Sequence, residues 1–172
     1  FVNDRLAAFY GIEGVVGSDH ALTPTQGTQR VGLLTHGSIL TVTSHTFRTS
    51  PVNRGKWIMG QLLCAEPPPP PAGVDTSLES EGSEDMTIKE QMAAHRDKPE
   101  CVGCHMLMDP LGLSLEHFDA VGKWRDEDNG HPVEAFDELP DGTMISGAEG
   151  VTAYVQANPN TMSCVAEQLF TY

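Results

Sequence analysis

Apolar residues recur at helical spacing near both ends of this chain and twice in its middle, and the stretches between them lack a clear period. Phe1 to Tyr10 puts Leu6 and the Phe9–Tyr10 pair on one face, with Gly11 placed to close the helix. Residues 11–30 read as loop. Arg30 to Thr46 is ambiguous: Leu33–Leu34 and Ile39–Leu40 suit a helix, whereas Leu40–Thr41–Val42–Thr43 suits a strand. Ser50–Pro51 is a strong helix start, a capping hydroxyl followed by proline at the first helical position. Val52 to Cys64 follows with Ile58, Leu62 and Leu63 on one face.

Pro67 to Pro71 is an unbroken run of prolines, which excludes helix and predicts a stiff extended spacer. An acidic, Ser/Gly-rich linker follows over residues 72–85. Met86 to Arg96 predicts the next amphipathic helix. Pro99 opens a short turn that holds residues 101–105, and Asp109–Pro110–Leu111–Gly112 reads as a tight turn before the short segment Leu113 to Phe118. Residues 122–147 read as loop, with turns at Asp128–Asn129–Gly130 and Asp141–Gly142. Helical patterns over Ala148 to Ala157 and Ser163 to Tyr172 close the chain. Because the sequence starts inside one helical pattern and stops inside another, it reads as a piece of a longer protein.

The 172 residues carry a net charge of −14, distributed unevenly. Residues 1–74 are close to neutral at +1, and residues 75–172 hold −15. This argues against nucleic acid and anionic membrane surfaces and favours a basic partner. No apolar run is long enough to span a bilayer.

The most specific chemistry lies in Cys101–Val102–Gly103–Cys104–His105. Cys-x-x-Cys-His is the attachment signature of a c-type haem: two thiols one helical turn apart add to the haem vinyl groups, and the adjacent histidine donates an axial nitrogen to iron. A structural zinc site would want a second pair of ligands, and there is no second Cys-x-x-Cys. One covalently held haem c, with His105 as proximal ligand, is therefore expected. Covalent haem implies an oxidising compartment, so Cys64 and Cys164 are expected to form a disulfide closing a loop of 100 residues; two buried free thiols are the alternative. Localisation would be periplasmic or extracellular.

The text from Cys101 to Arg125 strongly resembles the planctomycete- and myxobacterial-type c cytochromes, large secreted bacterial proteins with domains of unknown function. Asn3–Ala7 with Tyr10–Gly11, Thr49–Trp57, Leu63–Pro71, Leu139–Thr143 and Cys164–Tyr172 carry further parts of the likeness. In that family the final helix runs on past the position of Tyr172. The resemblance implies export, haem and electron transfer, and supplies no substrate.

The sixth iron ligand stays open in the sequence. His95 lies six residues before Cys101, and in the resembling family a His-Arg pair matching His95–Arg96 commonly precedes the motif. Met144, in a loop 39 residues after His105, would raise the potential as a ligand. Met108 and Met162 are weaker candidates. Arg96, Lys123, Trp124 and Arg125 are candidate partners of the haem propionates, with Arg54 a further possibility. Phe118, Phe136, Tyr154 and Phe170 are expected in the core or against the haem. Asp126, Asp128, Gly130 and Asp137 sit near calcium-loop positions, but His131 replaces the needed glycine, so calcium is not expected.

The expected fold is mainly α: a cytochrome c-like haem domain over residues 86–172 and a small helical or irregular N-terminal appendage over 1–66, joined by residues 67–85. The expected function is electron transfer within a larger secreted protein, with a redox partner, possibly basic, and the rest of the parent polypeptide as neighbours. Two rivals remain: a peroxidase-like haem enzyme with a displaceable sixth ligand, and an assembly module in which haem is mainly structural. Glu116 and His117 are the acid–base groups closest to the motif, and neither is evidently dedicated to catalysis.

Overall fold

A computed structural model describes residues 1–70, 72, 85–96 and 99–171. Pro71, most of the acidic linker and Tyr172 lie outside them, so the expectations for those positions have no counterpart below. The architecture is mainly α. Helix α1 spans Asp4–Tyr10, α2 Gly37–Val42 after a short 3-10 turn at Leu33–Thr35, α3 Pro51–Leu62, α4 Ile88–Arg96, α5 Pro99–Leu113, α6 Gly147–Ala157 and α7 Thr161–Thr171. Two small antiparallel hairpins separate α5 from α6: β1 (Glu127–Asp128) pairs with β2 (His131–Pro132), and β3 (Phe136–Glu138) pairs with β4 (Met144–Ser146).

Local chemistry explains most boundaries. Asn3 caps α1 by accepting the Leu6 N–H, and Gly11 ends it at φ 69°, a left-handed conformation that glycine adopts without penalty. Ser50 accepts the Asn53 N–H ahead of Pro51, as the Ser-Pro pair predicts for α3. Thr87 and Glu90 form a reciprocal cap at the head of α4: the Thr87 N–H donates to Glu90 Oε2 at 2.8 Å and the Glu90 N–H to Thr87 Oγ1 at 3.2 Å. The ambiguous stretch at residues 37–42 is helical. Residues 122–147, expected to be loop, contain both hairpins.

The segment that carries Cys-x-x-Cys-His differs from its expected form. Residues 101–113 are not a short turn plus a tight turn but one helix that runs through both Pro110 and Gly112. Packing outweighs the local preference for a break. A Cβ on Gly55 of α3 would lie 1.9 Å from the Met108 carbonyl oxygen, and one on Gly112 1.8 Å from that of Pro51. Glycine at these two positions lets the backbones of α3 and α5 touch, making this the most extensive helix pair of the fold.

The main core draws on both sides of the proline run. Ile58, Met59, Leu62 and Leu63 from α3 and its C-terminus meet Met108, Leu111 and Leu115, with Ala148, Val151 and Val155 of α6 completing the cluster. The Cys64–Cys164 disulfide is present, with Cα atoms 5.4 Å apart, and ties the end of α3 to α7. Among the described residues no helix is long and apolar enough to cross a membrane.

Candidate functional site

Helix α5 carries Cys101, Cys104 and His105 within its first two turns. Cys101, Cys104, Met108 and Leu111 recur at helical spacing; Cys101 is buried, and Cys104 is half-buried against the main core. Neither thiol is bridged. Val102, Met106 and Leu107 leave apolar surface exposed on the same helix.

His105 stands one turn before Asp109, and its Nδ1 lies 2.9 Å from Asp109 Oδ1. The Asp109 side chain is fully buried, and its Oδ2 has no hydrogen-bond partner. Burial pushes the Asp109 carboxyl above its usual range, while the contact with His105 and the charge of Arg96 act in the opposite direction.

Helix α4 brings His95 to this position. The His95 ring is buried, and its centroid is 5.1 Å from that of His105, edge to face. The next residue, Arg96, donates to Asp137 Oδ2 on β3 at 2.8 Å and lies 4.0 Å from Asp109 Oδ2. Lys89 lies over the Phe136 ring at 3.4 Å and near Glu134 at 3.8 Å, so α4 is held to β3 and its preceding loop at two points. Met144 on β4 stands opposite Glu138, beside the Asp137 that holds Arg96, and is 55% exposed. Met108 is buried in the core and Met162 is exposed on α7.

The remaining predicted site residues gather elsewhere. Arg125 donates to Glu116 Oε2 at 2.9 Å, to Asp128 Oδ1 at 2.5 Å and to Thr49 Oγ1 at 3.2 Å. Trp124 stacks on His117 with ring centroids 4.4 Å apart and donates its indole N–H to Asp126. Lys123 is exposed. Arg54 is buried, donating to the carbonyls of Leu115, Phe118 and Asp119 and to Glu116. Glu116, close to the motif in sequence, is fully buried between Arg54, Thr49 and Arg125; burial pushes its carboxyl up, and those partners pull it back down. It is a structural counter-ion rather than an accessible acid or base. His117 donates from Nδ1 to the Arg125 carbonyl at 2.9 Å. Phe118 belongs to the core and Tyr154 packs against it, but Phe136 and Phe170 do not: Phe170 is 92% exposed.

The acidic residues at the expected calcium-like positions are spread among other partners, and no group of three or more His, Cys, Asp and Glu side chains able to hold a metal ion occurs among the described residues. Two cavities, of about 80 and 310 Å³, border Arg48, Thr49, Arg125, Asp128 and Asn129 rather than the Cys-x-x-Cys-His residues.

The donor set at α5 fits a covalently attached haem. It offers two unbridged thiols on one helix, an adjacent imidazole with a carboxylate against its Nδ1, and a second imidazole close by. Backing by a carboxylate is how metal-ligating histidines are commonly oriented. The sequence does not single out Asp109, although it lies four residues after His105, because Asp109–Pro110 reads as the start of a turn.

A family model for PSCyt3, described as a protein of unknown function (DUF1588), matches residues 30–128, more than half of the chain. The chain belongs to the PSCyt3 family. Its name hints at cytochromes, but its description assigns no activity. The match takes in α2 to α5, the Cys-x-x-Cys-His motif and the Arg54–Glu116–Arg125 network, and ends before β2. The likenesses read in Leu139–Thr143 and Cys164–Tyr172 lie beyond it. No curated protein and no solved structure matches the chain.

Proposed function

We propose that this PSCyt3 chain is an extracytoplasmic electron-transfer unit carrying one haem c on Cys101 and Cys104, with His105 as the proximal ligand. The observation that carries the reading is the division of the four cysteines: Cys64 and Cys164 pair with each other, and the two thiols of the motif stay free on one helix beside His105. A disulfide also fits an oxidising compartment, hence a secreted or periplasmic protein.

His95 is the distal ligand in this reading. The closeness of its buried ring to His105 supports it over the exposed Met144. The haem, when attached, supplies a one-electron ferric/ferrous couple whose potential the protein sets through axial ligation, burial and nearby charge. The chain's own contribution is to fasten α4 to β3 through Arg96–Asp137 while α4 packs on α5, so that His95 is held beside His105. The helical framework around the motif is read as cytochrome c-like, and the excess of carboxylates after residue 75 suits a basic redox partner.

Intact-mass measurement after expression in a host that attaches haem c tests the reading. One haem is expected on the wild type and none by thioether linkage on the Cys101→Ala, Cys104→Ala double variant; a bare polypeptide mass for the wild type refutes it. His95→Ala is expected to retain haem and change a low-spin spectrum to high-spin, and Met144→Leu to leave the spectrum as it is. A spectrum unchanged by His95→Ala would remove His95 as ligand.

A further inference from the structure

We infer that Asp109 is a positioning residue for His105: it accepts a hydrogen bond from the Nδ1 N–H, reserves Nε2 for iron, and by its negative charge makes His105 a stronger electron donor than a neutral hydrogen-bond partner would. The inference deepens the haem reading and rests on it. The consequence is a reduction potential lower than the same axial ligands would give with a neutral group at position 109.

Three features of the structure lead to this assignment. First, the contact is short and built into one helix, His105 Nδ1 to Asp109 Oδ1 at 2.9 Å one turn apart, so it needs no loop to hold it. Second, Asp109 is fully buried, and among the described residues its side chain hydrogen-bonds to His105 alone, Oδ2 having no partner. A carboxylate whose one described donor is the imidazole N–H directs its acceptor capacity at that group, and the contact itself favours the ionised form against burial. Third, among the described residues Arg96 is close enough to favour the carboxylate form against burial without hydrogen bonding to it. Arg96 stands 4.0 Å from Oδ2 and is bonded instead to Asp137 at 2.8 Å. Among the described residues the charged and titratable groups facing Asp109 are His105 from its own helix, Arg96 from α4 and Asp137 from β3.

The neutral and ionised alternatives differ in proton placement. A carboxylate can only accept, so His105 carries its proton on Nδ1, and Nε2 keeps the lone pair that iron needs. A protonated carboxyl would donate to Nδ1 and place the imidazole proton on Nε2, which would block ligation. Geometry alone is also served by asparagine, whose amide oxygen accepts the same bond without the charge. The Asp109→Asn comparison therefore separates orientation from electrostatics.

The experiment uses the haem-loaded wild type, Asp109→Asn and Asp109→Glu. Intact mass is recorded first, then the midpoint potential. The expected result is one haem on each, a ferric/ferrous equilibrium in Asp109→Asn moved tenfold or more toward the ferrous form, about 59 mV per tenfold change, and partial return toward the wild-type value in Asp109→Glu. Haem on both wild type and Asp109→Asn with potentials matching within twofold in the equilibrium constant overturns the inference and leaves the haem reading standing. A wild type without haem overturns both. If Asp109→Asn does not accumulate, proton and nitrogen NMR of the reduced wild-type holoprotein decides: a His105 Nδ1 proton shifted far downfield and protected from exchange supports the inference, and a rapidly exchanging one overturns it.

Discussion

Gly112 of α5 and Pro51 of α3 meet backbone to backbone, so that a Cβ on the glycine would stand 1.8 Å from the proline's carbonyl oxygen. Nothing soft lies in the way: the obstacle is main chain, which can yield only if one helix withdraws. Gly112→Ala and Gly55→Ala are each expected to cost about 1–3 kcal/mol or more in urea unfolding, as overpacking of a tight interface does. Both should also lower the fraction of chains that acquire haem, since α5 carries the motif. Wild-type stability in either variant would refute the close approach.

Arg54 and Glu116 form a buried ion pair at 3.1 Å, and Arg54 also binds the carbonyls that follow α5. Arg54→Met leaves Glu116 buried with one cation fewer and several carbonyls without donors. A loss of about 3–5 kcal/mol is expected. The double variant Arg54→Met, Glu116→Leu should recover part of that loss, because it removes the stranded charge. Denaturant midpoints of the two singles and the double provide the cycle, and strict additivity would argue against the pair.

Replacing Cys64 and Cys164 by serine opens a loop of 100 residues. The chain-entropy account sets the loss at up to ~4.7 kcal/mol. Equilibrium unfolding should show the variant well below the oxidised wild type, and the wild type should approach the variant in reductant. The α7 amides should lose hydrogen-exchange protection before those of α3, since only Cys164 of α7 is fully buried.

Asp141 gives a clear expectation for pH. Its Oδ1 accepts the Thr143 N–H at 2.9 Å in the turn joining β3 to β4, and this holds the carboxyl below its usual range. A folded value below the unfolded one means that the contribution is present above the unfolded value and fades as pH falls through the folded one. Carbon NMR of the Asp141 carboxyl should show the depressed titration, with faster Thr143 amide exchange at its acidic end. Asp141→Asn should remove that pH dependence while keeping the turn.

What could be read from sequence depended on whether a local signal had to compete with packing. The caps at Asn3, Gly11 and Ser50–Pro51 report helix ends directly, and α1 and α3 follow them. The sequence leaves Cys64 and Cys164 as either a disulfide or two free thiols, and an oxidising compartment favours the disulfide that the structure shows. At Pro110 and Gly112 the local rule gave the wrong answer: both residues normally break helices, but the α3 contact that keeps α5 continuous is distant in sequence. Losing the helix also hid the His105–Asp109 spacing. Arg125 and Arg54 show the other gap. Their charge was legible, but their partners come from Thr49, Glu116 and Asp128, and only folding brings these together.

If the motif thiols take haem as proposed, the crosslink between α3 and α7 constrains maturation. Four cysteines can form two bridges in three ways. Two of these join a motif sulfur to Cys64 or Cys164; the third keeps the native bridge but joins Cys101 to Cys104. All three consume the thiols needed for thioether formation. On that reading a producing cell oxidises one pair while shielding the other until porphyrin arrives, and an oxidising host without that shielding should yield scrambled, colourless protein.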